Sequence, residues 1–530
     1  TDVTDPTYGS VSVHAITLHD NNPPVVIPPD HSGESFQDES TGVLLDHARG
    51  TMNDLQFQND AGEWIEVPFR TGGFAGPTWQ WNGNAVRLKK TAENEHCYTG
   101  TKDGVEFGIS YSLLDDGILQ IQATLHNTND QTVTPDRASI NLGIDTYMKD
   151  TYESYRNLFF PTLLRCEKTH LWGYLESPEQ NVVSIVADAP VSSYRLSYES
   201  GAHRINGVVL DLMQKDETLP ERHPRDNSSL ETDETRIWNI RLKLSNSVQD
   251  VKEDVTEMLN APSIDIDQYT LGEGETANIS VFAGQPVSQM RVFAPDGSEL
   301  APISLQQAKD NRYVGSFTPE DGEGVYTLRV DSNGYKAEAM VTLRKPWSWY
   351  MEKAKEAALS HPAKAADCCE SWYGLYSTYL GMKYFPDEEK DSQIDQKFQE
   401  IYGIIDYNEE GIPQNNPTRI QNHSTTVGIL VDKYQAGGTI EDLQKAIKIA
   451  DYLISRQDPQ TGAYQGPSGD YTSVIYPAKS IMELMEVEAE MIAAGNDEED
   501  WQACYDRQYE SVKKAMDNLV ELHGDLHTEG

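Results

Sequence analysis

The sequence predicts a multidomain β + α protein: a large antiparallel β-sandwich, a small β-sandwich, then an array of helical hairpins. Three observations predict it. Short runs with period-two alternation of apolar and polar residues fill the first half of the chain. Clusters of Gly, Asn, Asp and Pro punctuate those runs. From Lys345-Pro346-Trp347 onward the apolar period changes to about 3.6. At 530 residues the chain is too long for a single hydrophobic core, which agrees with several domains.

The first expected domain covers residues 1–260. Leu119-Gln120-Ile121-Gln122-Ala123-Thr124-Leu125 alternates as a half-buried strand should, between the turns Asp115-Asp116-Gly117 and Asn127-Thr128-Asn129-Asp130. Similar strands are expected at Val105–Tyr111, Ala138–Ile144, Val182–Ala187 and Ile237–Leu244. Residues 261–345 read as a second, immunoglobulin-like sandwich with strands at Ala277–Phe282, Met290–Phe293 and Val325–Val330. No chemistry is visible there, so a rigid spacer is the expected role.

Residues 346–530 form the helical domain. Helices are expected at Trp349–Leu359, Glu370–Tyr384, Gln393–Ile405, Asn422–Gln435, Ile440–Arg456, Ser473–Ala494 and Asp500–His523. Alternate helices open near Trp372, Asn422 and Ser473, about 50 residues apart, the spacing of stacked hairpins. Such hairpins build an (α/α) toroid, which closes with around six or seven of them. About three and a half are expected here, and Gly530 falls where the next inner helix would begin, so the toroid is expected to be incomplete in this chain.

The net charge of −43 opposes nucleic acid, whose phosphates need a basic footprint, although a local cleft can still be positive. No run of 18 apolar residues suggests a membrane span. The five cysteines show neither metal spacing nor a disulfide framework. Ca²⁺ is compatible with so acidic a chain, but no EF-hand-like spacing supports it, and no cofactor is required by the reading below. The start, Thr1-Asp2-Val3, carries no visible signal peptide and is compatible with a mature end after export.

Candidate chemistry gathers where inner helices begin. Asn415-Asn416-Pro417-Thr418-Arg419-Ile420-Gln421-Asn422-His423-Ser424 places an arginine, amides and a histidine in the turn that opens a helix. Exposed N–H groups and the helix dipole suit such a turn to an anion. The equivalent turns carry Trp372 and Tyr373, and Tyr471 and Tyr476. This inventory fits β-elimination from a uronic acid. Arg419 and Asn422 would neutralise the carboxylate, while His423 with Tyr471 or Tyr476 would move the protons, in an order the sequence does not fix. Plainer readings compete. Asn422 is also a candidate N-cap and, with Asn227 and Asn278, part of an N-x-S sequon. A lone histidine at a helix start is more often structural, and most of the aromatics suit a core.

Two stretches carry a family resemblance. "DDGILQIQATLHNTNDQTVTPDRASINLGID" resembles the β-supersandwich domains of mutarotase-like proteins and carbohydrate-active enzymes. The order of domains, with "NPTRIQNHSTTVGILVDKY" and "YLISRQDPQTGAYQGPSGDYTSVIYP", resembles bacterial polysaccharide lyases, most of all the L-rhamnose-α-1,4-D-glucuronate lyases. That resemblance implies an extracytoplasmic enzyme that removes rhamnose caps from glucuronic acid in arabinogalactan glycans. It assigns no residues, so Arg419, Asn422, His423, Tyr471, Tyr476, Trp372 and Tyr373 rest on the turn argument alone. Two alternatives share the layout. An inverting hydrolase or phosphorylase would use paired carboxylates such as Glu370 and Asp470. A non-catalytic glycan binder would use Trp372 as a platform.

Overall fold

The computed structural model describes residues 33–70, 75–91, 96–146, 152–199, 204–216, 227–320, 322–361, 372, 374–375, 378–464 and 472–523. The chain divides into two compact units, one up to Arg344 and one from Lys345.

The first unit is β-rich. Its eight-stranded antiparallel sheet runs, edge to edge, through Phe160–Cys166, Leu171–Glu176, Val182–Ala187, Thr235–Ser245, Ile118–Asn127, Val105–Leu114, Cys97–Lys102 and Lys89–Lys90. The period-two pattern places Leu119, Ile121, Ala123 and Leu125 on the buried face. A five-stranded sheet pairs Ser193–Glu199, Arg204–Gln214, Arg137–Asn141, Thr78–Trp81 and Asn84–Ala85. Its inner face contributes Trp79, Trp81, Ile140 and Leu210 to the same core, and Gln80, Ser139 and Asp211 alternate onto the other face. A bulge between Ala138 and Ser139 turns both Leu212 and Met213 inward. It thereby brings Asp211 and Gln214 to the same side, where the Ser193 hydroxyl reaches both. A four-stranded sheet, Glu34–Gln37 to Trp64–Glu66, adds Val43, Leu55 and Phe57 to this core.

The strand expected to reach Ile144 ends at Asn141. Gly143 adopts a φ of 75° there, and a Cβ on it would lie 2.3 Å from the Gly76 nitrogen. Only glycine tolerates both conditions.

A single helical turn, α1 (Tyr152–Tyr155), precedes the strand Phe160–Cys166, and α2 (Val251–Leu259) follows the last strand of the large sheet. Val251, Val255, Met258 and Leu259 of α2 pack with Trp172, Val182 and Val186 in a small core of their own. Beyond α2 lie two further sheets, of four and five strands, between Ser263 and Leu343, around Ile279, Met290, Tyr326 and Val341. Arg165 donates to the Glu338 carbonyl at 2.7 Å, and the Lys336 N–H donates to the Thr169 hydroxyl at 2.9 Å, tying these sheets to the large sandwich.

The second unit is helical: α3 (Trp347–Ser360), α4 (Thr378–Tyr384), α5 (Glu388–Ile405), α6 (Ile420–Gln435), α7 (Ile440–Ser455), α8 (Thr472–Ala494) and α9 (Trp501–His523). Of the helix expected at Glu370–Tyr384, the described part is α4. A capping box of Thr439 and Asp442 starts α7. Helix α6 is buried almost throughout, from Asn422 to Val431, as an inner helix must be. It packs closely on α8, where a Cβ on Gly428 would meet Glu483 Oε2 at 3.0 Å and Ser480 Oγ at 3.3 Å. Further along, the Tyr434 hydroxyl contacts Met491 Sδ. The two contacts advance together along both helices, so α6 and α8 run parallel. No helix among the described residues is long and apolar enough to cross a membrane.

Candidate active site

The turn before α6 is built from the end of α5 upward. Asp406 closes α5 in a left-handed conformation, its N–H donating to the Tyr402 carbonyl. A tight loop follows, held by Asn408, whose side-chain oxygen accepts from the N–H groups of Glu410 and Ile412. Gly411 at its tip has a φ of 76° and lies against the backbone of α7 at Lys448. The chain then returns: the Gln414 N–H donates to Asp406 O and the Asn415 N–H to Ile405 O. Asn416, Pro417, Thr418 and Arg419 complete the approach to α6.

Several of the N–H groups that the sequence expectation left free at this turn have carbonyl partners. The Arg419 N–H donates to Asn416 O, Ile420 to Thr418 O, and both Asn422 and His423 to Arg419 O. These four N–H groups are committed to carbonyls, which leaves less of the turn's backbone for an anion. Arg419 is the N-cap and makes no side-chain cap bond. Asn422 lies inside the helix and is 1 % exposed, so it is neither the cap nor a surface amide; Asn227 is equally buried. That burial removes both sequons from glycosylation of the folded chain.

His423 is 0 % exposed. Its Nε2 lies 3.1 Å from the Asn416 carbonyl, which can only accept, so Nε2 carries the proton. Nδ1 therefore accepts, and the Tyr407 hydroxyl donates to it at 2.8 Å. Burial holds the imidazole pKa down to about 4, with Arg456 adding to the effect, and the ring is neutral. Desolvation also pushes the Tyr407 phenol well above its ordinary value. The Thr426 hydroxyl lies 3.0 Å from the Tyr407 oxygen and donates to Asn422 O at 2.8 Å. On the other side, the Tyr452 hydroxyl donates to Pro417 O at 2.5 Å. His423, Tyr407 and Tyr452 thus clamp the turn from within. A histidine with both nitrogens bonded and no exposed surface fixes the turn, in place of the open proton-transfer position expected from the sequence.

Arg419 stands exposed on this clamp. Arg456, the C-cap of α7, is also exposed, and its guanidinium sits 6.0 Å from the centre of the Tyr452 ring. Among the described residues, neither has a carboxylate within ion-pair distance. A guanidinium without a carboxylate partner is the group that can take up a carboxylate from solution.

The parallel register of α6 and α8 places Tyr476 level with the first two turns of α6, and it is 44 % exposed. Trp372 does not join this surface: it is 0 % exposed and packs on Phe398, with ring centres 5.5 Å apart. The platform role expected of it is corrected to a core role. Tyr373 and Tyr471 lie outside the described residues, as do Glu370 and Asp470. Arg456, Tyr407 and Tyr452 were missed by the sequence reading. Arg456 lies in the quoted "YLISRQDP" run, where a basic residue ending a helix reads as ordinary dipole compensation.

No family model matches the chain, and no curated protein matches it either. Among solved structures, one named Polysaccharide Lyase BACCELL_00875 is similar over 92 % of this chain and 82 % of its own, at 12 % identity and a TM-score of 0.59. A GalM/aldose epimerase homologue from C. elegans aligns over 41 % of this chain and 99 % of its own, at 11 % identity and a TM-score of 0.24. A thermostable endoglucanase from Alicyclobacillus acidocaldarius aligns over 49 % of this chain and 52 % of its own, at 15 % identity and a TM-score of 0.19. The latter two scores carry no argument. The first establishes that this β-plus-α arrangement is the fold of a protein solved as a polysaccharide lyase.

Proposed function

We propose that the chain is a polysaccharide lyase that cleaves the bond to C4 of a uronic acid by β-elimination. The observation that carries this reading is that Arg419, at the start of α6, and Arg456, at the end of α7, are both exposed and, among the described residues, without a carboxylate partner, in a chain of net charge −43. The lyase fold over 92 % of the chain supports it. In this mechanism the two guanidinium groups bind the substrate carboxylate and stabilise the negative charge that develops as the C5 proton leaves. A general base takes the C5 proton, the electron pair from the C5–H bond forms the C4–C5 double bond, and the C4–O bond breaks. A proton then goes to the departing oxygen. Tyr476, exposed on α8, is our candidate for these transfers, with Tyr471 as a second candidate. The favoured substrate is a glycan whose glucuronate carries rhamnose at O4, in the manner of arabinogalactan caps. The products are rhamnose and a 4,5-unsaturated glucuronate, and such a substrate calls for an extracytoplasmic enzyme.

The test is direct. Purified protein is incubated with rhamnose-capped glucuronate oligosaccharides while the ultraviolet absorbance of the conjugated double bond is followed. New absorbance with release of rhamnose is the expected result. Free sugar without absorbance would point to hydrolysis, and neither would leave only binding. Arg419→Ala and Arg456→Ala are each expected to lower kcat/KM by about 10²-fold or more, since each removes a charge-assisted contact to the carboxylate. Both residues are exposed, so folding is expected to survive.

A further inference from the structure

The outer face of the five-stranded sheet carries a second polar construction that the reading above leaves unused. A cleft of about 560 Å³ opens over it, within the usual range for a small-molecule site. Gln80, which lines it, belongs to a row of side chains that cross the strands in register: Ser193 opposite Asp211, Asp211 opposite Ser139, and Ser139 opposite Gln80.

Asp211 is 1 % exposed, yet it is fully engaged. The Ser139 hydroxyl donates to it at 2.6 Å, and the Arg195 Nε donates at 3.2 Å. Arg195 also donates through Nη2 to the Gln80 side-chain oxygen at 3.0 Å. The guanidinium is therefore held at two points, with about a third of the side chain, 34 %, still open to the cleft. An ion pair on the solvent face of a sheet contributes little to stability and costs desolvation when one partner is buried. An arginine pinned by a buried carboxylate and aimed into a concavity is instead the arrangement of a pre-organised binding site.

The rim fixes the ligand class. Arg137 and Lys215 line the cleft, are exposed, and have no carboxylate within ion-pair distance among the described residues. Asp136 and Asp216 line it too. A small multiply charged anion would be repelled by those two carboxylates. A ligand with one negative charge among several hydroxyls satisfies both sets, because the hydroxyls donate to the carboxylates while the charge meets the cations.

We propose that this cleft binds a uronate-bearing saccharide, with Arg137 and Lys215 on its carboxylate and Arg195, Gln80 and Asp216 on its hydroxyls. The β unit then holds a glycan site of its own. The proposal rests on the cleft chemistry and stands whether or not the helical unit is a lyase.

The experiment uses the full chain carrying Arg419→Ala and Arg456→Ala, so that the helical turn contributes neither binding nor turnover. A glucuronate-terminated tetrasaccharide and the same compound carboxyl-reduced to its neutral form are titrated calorimetrically. The acidic probe is expected to bind about tenfold or more tightly than the neutral one. Adding Arg137→Gln and Lys215→Gln, both at exposed positions, is expected to abolish that difference. Equal binding of the two probes, no binding of either, or an acid preference that survives R137Q/K215Q would each overturn the proposal. The lyase reading is scored separately, by the absorbance assay on the parent chain.

Discussion

Glu488 offers a measurable test of the helical core. It sits on α8, 0 % exposed, opposite Gln508 on α9, which is equally buried. The Gln508 amide donates to Oε1 at 2.7 Å, while Oε2 and the Gln508 side-chain oxygen are both buried without a donor among the described residues. Burial raises the carboxyl pKa from 4.5 to about 7, against a lowering by the Gln508 bond and by Arg507 and a further raising by Asp451. The folded state thus holds a proton that the unfolded chain releases. The sign follows: the cost is absent below pH 4.5, grows as pH rises, and is complete above about 7. A shift of this size corresponds to a loss on the order of 3 kcal/mol. Glu488→Gln keeps the shape, supplies an amide donor and cannot ionise. Urea denaturation of wild type and E488Q at pH 5 and pH 8, with hydrogen exchange of α8 and α9 as the local probe, reads the effect. The variants should be within about 1 kcal/mol at pH 5, and E488Q should be more stable by roughly 2–3 kcal/mol at pH 8. The neutral, buried His423 bends both profiles alike, because its lowered pKa makes stability fall as pH drops through 6.5 toward 4. Parallel wild-type and E488Q profiles across the whole range would refute the protonated, buried carboxyl.

Other outcomes follow from the turn and its surroundings. Tyr407→Phe keeps the ring but strips His423 Nδ1 of its donor, and should cost about 1–2 kcal/mol in thermal unfolding. His423→Ala should lower the melting temperature of the helical unit further; loss of turnover in a fully stable H423A protein would instead restore a catalytic role. Gly411→Ala forces a Cβ to 2.6 Å from the Lys448 backbone at a positive φ, and should cost roughly 1–3 kcal/mol, read as a shift in the denaturation midpoint. Trp372→Phe should lower stability while leaving affinity for acidic oligosaccharides within about twofold, because the ring is core and not platform.

How far the sequence could be read depended on whether a signal was local. Helix α7 was expected at Ile440–Arg456 and is found at Ile440–Ser455, because both its capping box and its apolar period lie within the segment itself. Helix α6 starts two residues before its expected opening, since Arg419 offers no capping side chain to mark the true boundary. The eleven-residue strand Arg204–Gln214 was missed altogether. Val208 to Met213 are buried without interruption, so the strand shows no alternation. The site was legible only as a place. Arg419 could be located at a helix start, but the fate of His423 was decided by Tyr407, sixteen residues earlier in a loop with no periodic signal. Likewise, Arg456 comes near His423 only through the α6–α7 hairpin.

The hydrogen bonding of the turn before α6 bears on how such a site can change over generations. The N–H groups of Arg419, Ile420, Asn422 and His423 already have carbonyl partners, whatever the charge of what the turn meets. On the proposal that Arg419 and Arg456 bind the substrate carboxylate, preference for an acidic over a neutral sugar rests on two surface side chains whose replacement leaves the clamp beneath them intact. Descendants of the fold would then drift between acidic and neutral glycans through substitutions at these two positions, with the scaffold inherited unaltered.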